Sequence, residues 1–333
     1  MKAFIFDRYG SADRVRASEV PDPEMREDDV LIEIHAAGVN PLDSKIRDGE
    51  FKLLLPYRLP LILGNELAGV VVRVGSRVRR YKPGDEVYAR PDKNRIGTFA
   101  EFIAVSEDDL AIKPKSLTME EAASIPLVGL TAWQALIEKG KLKKGQKVLI
   151  HAGSGGVGTF AIQLAKHVGA TVATTTSTAN VDLVRRLGAD IVIDYKKDSF
   201  EEILRDCDVV LNSLDGETLK KSLRVLKPGG NLISISGPPD PEFARQLGSN
   251  RILELVMRLL SFRIRRQAKR RQVNYSFLFM TASGDQLRQI GAIIETGAIR
   301  PVVDRVFPFE STKEAMAYVE TGRAKGKVVV RVR

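Results

Sequence analysis

Residues 148–158 read VLIHAGSGGVG, and this stretch decides the fold of the region around it. A short β-type run leads into a turn where Gly153, Gly155 and Gly158 match the pattern G-x-G-x-x-G, and a helical run over residues 159–168 follows. In this pattern the glycines permit a tight turn, close approach to a pyrophosphate, and close packing of helix on strand. The start of the helix adds free N–H groups and a positive dipole end. The stretch predicts a dinucleotide site, and an empty glycine turn is the alternative.

The rest of the chain divides into two kinds of region around this turn. Residues 1–115 alternate short β-type runs with turns, which indicates a mainly antiparallel region, and residues 118–136 read as helical. Beyond them, strand-like runs alternate with helices and turns, at residues 171–174, 191–193, 208–211 and 232–235. Alternation of this kind predicts a parallel, doubly wound sheet. A final strand over residues 327–332 can return to the first region, so the 333 residues predict two domains of class α/β.

The strand after the glycine turn ends in TTTSTAN, residues 174–180. A site that prefers NAD usually places Asp or Glu here, against the ribose hydroxyls. No acid occurs before Asp182. Hydroxyls and an amide can bind a 2′-phosphate without repelling it, so the sequence favours NADP(H). The alternative is a Thr-rich strand end with no part in phosphate binding.

The start of the chain and its cysteine content indicate the cellular setting. MKAFIFDRYG resembles a first strand rather than a signal peptide, and no apolar stretch approaches the roughly 20 residues that span a bilayer. A single cysteine, Cys207, excludes an internal disulfide and a cysteine-built metal cluster. We expect a soluble, cytoplasmic protein.

The formal charge of +10 is concentrated in one segment, residues 250–272. Its bases face the lone acid Glu254, and they are Arg251, Arg258, Arg263, Arg265, Arg266, Lys269, Arg270 and Arg271. Apolar residues interleave with them, so we predict a long amphipathic helix. One interpretation is a helix that makes weak contact with a membrane surface or with a lipophilic substrate. The other is a helix packed on the fold or on the partner in a homodimer, with a solvated basic edge.

Several ordered motifs give the chain a resemblance that covers nearly its whole length. They are AGVNPLD at 37–43, GNELAG at 64–69, GDEV at 84–87, GLTA at 129–132, the glycine turn, and GKVVV at 326–330. The chain resembles the quinone oxidoreductase and alkenal/enone oxidoreductase branch of the medium-chain dehydrogenase/reductase superfamily. This implies a GroES-like β-rich catalytic domain at 1–120 and 270–333, and a Rossmann NADP-binding domain at 121–269 that carries the basic insertion. The active site then lies in the cleft between them.

The resemblance also implies which residues contact the cofactor. The phosphate turn contributes Gly153, Ser154, Gly155, Gly156 and Val157; the adenosine phosphate is surrounded by Thr175, Ser177, Thr178, Asn180 and Tyr195. Thr131 lies near the nicotinamide, whose pocket is walled by Asn212, Ser213, Leu214, Phe277 and Phe279.

A zinc site is not expected. Alcohol dehydrogenases of this superfamily hold zinc with a cysteine and with the histidine of a Gly-His-Glu motif, and these positions resemble Asn40 and Asn65 here. Zinc sites are built from Cys, His and carboxylates, so amides are poor replacements. His35, His151 and His167 form no compact metal pattern and read as structural or surface histidines. For Glu66 we prefer pairing with a basic neighbour over general-base chemistry.

The function implied is NADPH-dependent reduction of the activated C=C bond of an enone or alkenal. Hydride delivery to the β-carbon puts negative charge on the carbonyl oxygen, so the site needs donors there. Lys45 is the leading candidate, with the nicotinamide ribose as its other target and a solvated loop lysine as the alternative; Asn40 offers an amide, and Asp43 can organise the loop. Quinone reduction is the nearest alternative, followed by a non-catalytic NADPH sensor or nucleic-acid-binding protein, although no nucleic-acid partner is expected.

Overall fold

The computed structural model describes residues 1–52, 54–248 and 251–333. Its strands are β1 Lys2–Phe6, β2 Val15–Glu19, β3 Asp29–Val39, β4 Leu61–Ile62, β5 Leu67–Val74, β6 Glu86–Ala89, β7 Phe102–Ser106, β8 Leu110–Ile112, β9 Lys147–Ile150, β10 Thr171–Thr176, β11 Ile191–Asp194, β12 Cys207–Asn212, β13 Leu226–Ser234, β14 Asn274–Phe277, β15 Val303–Pro308 and β16 Lys327–Arg331. Its α-helices are α1 Pro41–Asp48, α2 Met119–Ala123, α3 Pro126–Trp133, α4 Gly156–Val168, α5 Val181–Arg186, α6 Phe200–Ile203, α7 Gly216–Ser222, α8 Pro241–Gln246, α9 Arg251–Leu260, α10 Phe262–Arg270, α11 Gly284–Glu295 and α12 Thr312–Glu320.

The chain forms two compact units whose boundaries lie later than the sequence suggests. The first unit is Met1–Leu130 with Thr281–Arg333, and the second is Thr131–Met280. The second unit extends past residue 269 because β14 pairs in parallel with β13, from Asn231 opposite Asn274 onward. This strand pairing places residues 270–280 in the second unit, and the local sequence pattern does not reveal it.

The first unit is built mainly on antiparallel strands, and β15 and β16 are a parallel pair. A seven-stranded sheet has the order β15-β16-β3-β5-β6-β8 with β7 on β3, and a small sheet has the order β2-β1-β4. Apolar side chains of these sheets form one core, among them Phe6, Ile32, Leu67 and Val330. The last strand, β16, pairs antiparallel with β3, which confirms that the chain end returns to the first unit.

The second unit is a parallel sheet with the order β11-β10-β9-β12-β13-β14. Counted within the unit, this is 3-2-1-4-5-6, the order of a doubly wound dinucleotide-binding fold. The predicted fold class is confirmed. In such sheets, ligands bind at the carboxyl ends of the strands where the order reverses, which is between β9 and β12.

Two predicted helices are interrupted in the structure. The stretch 118–136 is divided into α2 and α3, because Pro126 starts a new helix, and a π-helical stretch, Gln134–Lys139, follows. The basic segment forms α9 and α10 with Ser261 between them; Asn250, included in the predicted helix, lies outside the described residues. Within the described part of the chain, no helix combines the length and apolarity needed to cross a membrane.

Candidate functional site

The glycine turn joins β9 to α4 at the carboxyl end of β9. Thr175 of the neighbouring β10 holds it: its carbonyl accepts from Gly153 N at 2.9 Å, and its hydroxyl accepts from Ala152 N at 3.2 Å. Ala152 adopts φ of +52°, a left-handed conformation that costs energy for a residue with a side chain. A Cβ at Gly158 would contact the carbonyl oxygen of Ala152, so only glycine lets the helix come this close to the strand.

The N-terminus of α4 fits a pyrophosphate. The helix starts at Gly156 after the N-cap Gly155, no side chain caps this end, and its first turn contains no acid. A Cβ at Gly155 would have its nearest neighbour at 3.4 Å, the carbonyl oxygen of Ala152, so the surface there is open on the outside of the turn. Free N–H groups, the positive end of the helix dipole and an uncovered backbone together suit a phosphate group.

Hydroxyl and amide groups surround the end of β10. Ser154 Oγ accepts from Thr176 Oγ1 and from Asn180 Nδ2, each at 3.1 Å, and Asn180 Nδ2 also donates to Ser177 Oγ at 3.2 Å. The structure therefore brings Ser154 of the phosphate turn together with Ser177 and Asn180, which the resemblance places around the adenosine phosphate. It adds Thr176, a residue of the same strand end for which the resemblance implies no cofactor contact.

In its present orientation, the amide of Asn180 has one atom without a partner in the described part of the chain. Its Oδ1 is buried without a partner among the described residues. Rotation of the amide by 180° exchanges the two atoms and presents N–H donors where the oxygen lies now.

The acid at the end of β11, Asp194, is held by its own partners. It accepts from the hydroxyl of Thr178 at 2.6 Å and from Lys196 N at 3.1 Å. The hydrogen bond from Thr178 is the main cause of the lowered pKa of Asp194. Tyr195 follows with an exposed fraction of 61%, so its ring is available beside this edge.

The other predicted cofactor residues have different surroundings. Thr175 is buried, and its hydroxyl lies 3.1 Å from His151 Nδ1, so it organises the turn. Asn212, at the end of β12, donates to Leu214 O at 3.1 Å, and Ser213 Oγ donates to the carbonyl oxygen of His151 at 3.5 Å.

The remaining predicted cofactor residues lie in other parts of the second unit. Phe277 and Phe279 both pack on Phe243, with ring centroids 5.1 and 5.5 Å from it, and Phe277 ends β14 at the same edge of the sheet. Thr131 is buried at the start of the second unit.

A buried polar cluster lies in the first unit, at the positions where related dehydrogenases are expected to hold zinc. Lys327 Nζ lies 2.6 Å from Glu66 Oε1 and donates to Asn40 Oδ1 at 2.6 Å, while Asn40 Nδ2 donates to Glu66 Oε1 at 2.8 Å. The other carboxylate oxygen of Glu66 accepts from Leu127 N at 2.8 Å. The predicted pairing of Glu66 with a basic residue is confirmed, and the amide of Asn40 is occupied by this network.

Asp43 extends the same cluster. Its carboxyl accepts from Asn40 N at 2.7 Å and from Asn65 Nδ2 at 2.6 Å. Burial raises the pKa of Asp43 to about 7 against these hydrogen bonds. Asn65 Oδ1 is buried without a partner among the described residues. Rotation of that amide would let a protonated Asp43 donate to Asn65 Oδ1, so the raised pKa and the unpartnered oxygen agree.

Two cations of the first unit differ in their surroundings. Lys45, on α1, is about half exposed and lies 3.3 Å from Glu50. Arg90 follows β6 and is 1% exposed; Nη1 donates to Pro91 O at 2.6 Å, and Nε has no partner among the described residues. Burial lowers the pKa of Arg90.

Arg90 lies beside Glu66 in the sheet without pairing with it. The β5–β6 ladder pairs Leu67 with Ala89, so Glu66 and Arg90 flank its end. No ion pair of Arg90 occurs within the described segments of the chain. Nothing in the sequence singles out Arg90, since a single arginine after a strand carries no pattern that reveals burial.

The described residues hold no cluster of metal ligands, and His151 is a structural residue. Over residues 1–52, 54–248 and 251–333, no group of three or more His, Cys, Asp or Glu is placed to hold a metal ion. His151 is buried between Thr175 and Ser222, with Nε2 at 2.9 Å from Ser222 Oγ, and burial lowers its pKa to about 4. It is a neutral structural histidine.

Comparison with known proteins gives two family models and several full-length relatives. The model of the alcohol dehydrogenase GroES-like domain matches residues 26–115, and that of zinc-binding dehydrogenases matches residues 187–330. A 2-methylene-furan-3-one reductase of Solanum lycopersicum is 40% identical over 342 residues, covering 99% of this chain and 79% of the relative. A chloroplastic NADPH-dependent alkenal/one oxidoreductase of Arabidopsis thaliana is 38% identical over 341 residues, with coverage of 99% and 79%. The quinone oxidoreductase of Coxiella burnetii superposes with a TM-score of 0.86 at 32% identity, covering 100% of this chain and 99% of that structure.

Proposed function

Because this chain belongs to the medium-chain dehydrogenase/reductase superfamily, in the branch of quinone and alkenal/enone oxidoreductases, we propose that it reduces the C=C bond of α,β-unsaturated carbonyl compounds with NADPH. The observation that carries the proposal is the 40% and 38% identity, over 99% of the chain, to relatives named as enone and alkenal reductases. A quinone oxidoreductase with the same fold at 32% identity supports quinone reduction as the second candidate.

The second unit supplies the binding machinery for the cofactor. NADPH, when bound, supplies the hydride. The N-terminus of α4 would hold the pyrophosphate, and Ser154, Ser177 and Asn180 would bind the 2′-phosphate through hydroxyl and amide groups. Because Asp194 is occupied by Thr178, it is not arranged to select ribose hydroxyls. These features support NADPH over NADH.

The first unit supplies candidate donors for the charge that develops on the substrate oxygen. An enolate oxygen is stabilised by preorganised donors in a site from which water is excluded. Lys45 offers an ammonium group on α1, and Arg90 offers a desolvated guanidinium with an unpartnered N–H. Asn40 has a positioning part only, since Lys327 and Glu66 occupy its amide.

We propose that the reaction uses no zinc. The support is the chemistry of the donors: Asn40 and Asn65 stand where a thiolate and an imidazole would be needed, and the single cysteine lies in β12. Metal analysis of the purified protein tests this, and stoichiometric zinc together with loss of turnover on chelation would contradict it.

A side-by-side assay of NADPH oxidation tests the function. Alkenals, cyclic enones and quinones are compared by kcat/KM, and the product of each enone is identified as the saturated ketone or the alcohol. We expect the saturated ketone, with enones preferred to quinones. A preference for quinones would support the second candidate, and NADPH binding without turnover of any acceptor would favour a non-catalytic sensor.

A further inference from the structure

The helices α9 and α10 already have a face that packs on their own unit. Met257, Ser261, Ile264 and Ala268 are each at most 5% exposed, and Ile264 and Ala268 belong to the core of the second unit. Their spacing of three to four residues marks one continuous stripe along both helices. This agrees with the interpretation of the basic segment as a helix packed on the fold. The stripe is the side of the two amphipathic helices that is buried in their own unit.

A second apolar face remains outside. Ile252, Leu255, Val256, Leu259, Leu260 and Phe262 are 72%, 56%, 43%, 67%, 58% and 54% exposed. They too follow helical spacing, so they form one patch rather than scattered residues. Single exposed apolar residues are ordinary, whereas a contiguous patch marks a place where another surface binds.

The charge around this apolar face selects the kind of partner. Eight exposed bases flank it on the same two helices and just beyond them: Arg251, Arg258, Arg263, Arg265, Arg266, Lys269, Arg270 and Arg271. Glu254 is the acid among them, and Arg258 lies 3.5 Å from it. A shallow depression of about 530 Å³ adjoins α10, lined by Arg265, Lys269, Tyr275 and Ser276 among others, with no carboxylate in its lining.

We propose that this face docks on an anionic phospholipid membrane. The apolar side chains of α9 would enter the boundary between headgroups and acyl chains, while the arginines would meet the lipid phosphates. A second copy of this chain fits less well, because it would place one basic surface against another. A nucleic acid would satisfy the bases but leave the apolar side chains without a role.

Co-sedimentation with vesicles tests the proposal, and it does not depend on the proposed enzymatic function. The vesicles are made of phosphatidylcholine alone, or of equal parts phosphatidylcholine and phosphatidylglycerol. We expect binding to the anionic vesicles, weakened by high salt, and about tenfold less binding to the neutral ones.

Three variants separate the apolar and the electrostatic contributions. Leu255→Glu with Leu259→Glu should lower binding at least about tenfold, because two exposed apolar groups of the patch are replaced by acids. Replacement of Arg263, Arg266 and Arg270 by Gln should lower binding to anionic vesicles and reduce its salt dependence. Ile203→Glu is the matched control, since Ile203 is 50% exposed on α6 of the same unit. All variants alter exposed residues, and NADPH affinity and circular dichroism confirm that they are folded.

Other outcomes would overturn the proposal. Absence of binding to anionic vesicles would do so directly. Equal binding to neutral and anionic vesicles would contradict the proposed contact between the arginines and lipid phosphates. A larger oligomer in sedimentation velocity that Leu259→Glu dissociates, without vesicle binding, would identify the face as an interface between copies. Binding of duplex DNA that displaces the vesicles and is unaffected by the apolar-face variant would point to nucleic acid.

Discussion

Among single residues, Asp43 shows how burial changes the chemistry of a side chain. Its pKa is raised from 3.8 to about 7, mainly by burial. Between these values the folded protein keeps a proton that the unfolded chain has released, so stability falls as pH rises through this window. A protonated carboxyl group offers one donor and one acceptor, and an amide at position 43 can offer the same. It would donate to Asn65 Oδ1 and accept from Asn40 N.

We therefore predict that Asp43→Asn removes part of the pH dependence of stability. Going from about pH 5 to about pH 8, the wild-type protein should lose about 3 kcal/mol of unfolding free energy relative to the variant. Urea unfolding of both proteins at the two pH values measures this difference. Asp182→Asn, which alters an exposed carboxylate, should behave like the wild type. Parallel pH profiles for the wild type and Asp43→Asn would show that Asp43 is ionised in the fold throughout.

Asn180 provides a prediction on cofactor choice. Asn180→Asp should raise the Kd for NADPH by about tenfold or more, because a carboxylate repels the 2′-phosphate and instead suits ribose hydroxyls. The Kd for NADH should change little or fall. Asn274→Asp makes the same change of charge at the amino end of β14, away from the carboxyl edge of the sheet, and is the control. Equal losses for both cofactors in a titration by fluorescence would contradict the assignment.

Arg90 and Lys45 provide a prediction on turnover. Arg90→Met should lower kcat about tenfold or more, because it removes a proposed donor to the substrate oxygen. It should not lower the free energy of unfolding, because the buried charge that it removes has no ion-pair partner among the described residues. Lys45→Ala should also lower turnover in a folded protein, while Lys52→Ala, an exposed control nearby, should not. If Arg90→Met destabilises the protein and leaves kcat unchanged, Arg90 has a structural role only.

At the scale of elements, two glycines of the turn have different roles, one in stability and the other in ligand binding. A Cβ at Gly158 would meet the backbone of Ala152 and Gly153, where nothing can yield cheaply, whereas a Cβ at Gly155 would have its nearest neighbour at an ordinary 3.4 Å. The two glycines therefore meet different demands. One allows α4 to pack on β9, and the other leaves the backbone open toward a phosphate.

Two alanine variants test this separation. Gly158→Ala should destabilise the second unit by about 1–3 kcal/mol, as overpacking does. Gly155→Ala should leave thermal unfolding unchanged and weaken NADPH binding. Differential scanning calorimetry and cofactor titration on both proteins give the comparison. Loss of stability in Gly155→Ala, with NADPH affinity retained, would reverse the two assignments.

At the scale of the whole molecule, the low cysteine content suits the electrophilic substrates that we propose. Enones, alkenals and quinones are electrophiles that thiolates attack, and the chain has one cysteine. Cys207 is buried at the start of β12, and burial raises its pKa to about 11. At neutral pH the thiolate is then about one molecule in ten thousand.

The folded enzyme should therefore resist alkylation. Incubation with iodoacetamide or with excess enone, followed by intact-mass measurement, should show an unmodified protein, and denaturant should allow rapid modification of Cys207. Cys207→Ala provides the control for reaction at other side chains. Fast stoichiometric labelling of the native protein would mean that β12 opens far more readily than its burial indicates.

The sequence by itself determined what depends on local pattern and on the identity of residues. The glycine turn, the strand–helix alternation around it and the acid-free end of β10 were all readable, because a helix start and a phosphate turn are built from neighbours in the chain. The amide side chains of Asn40 and Asn65, at the positions that the resemblance assigns to zinc ligands, were readable in the same way, because they depend only on residue identity.

Only the tertiary structure decided which residues share a buried environment. Lys327 meets Glu66 across 261 positions of sequence, and the two close an amide network that removes Asn40 from the list of free donors. The buried charge of Arg90 and the raised pKa of Asp43 are equally invisible in the sequence, and only the packing decides which apolar side chains of α9 stay exposed. Burial and desolvation are set by packing between segments far apart in the chain, and these terms, more than residue type, decide what a polar group can do.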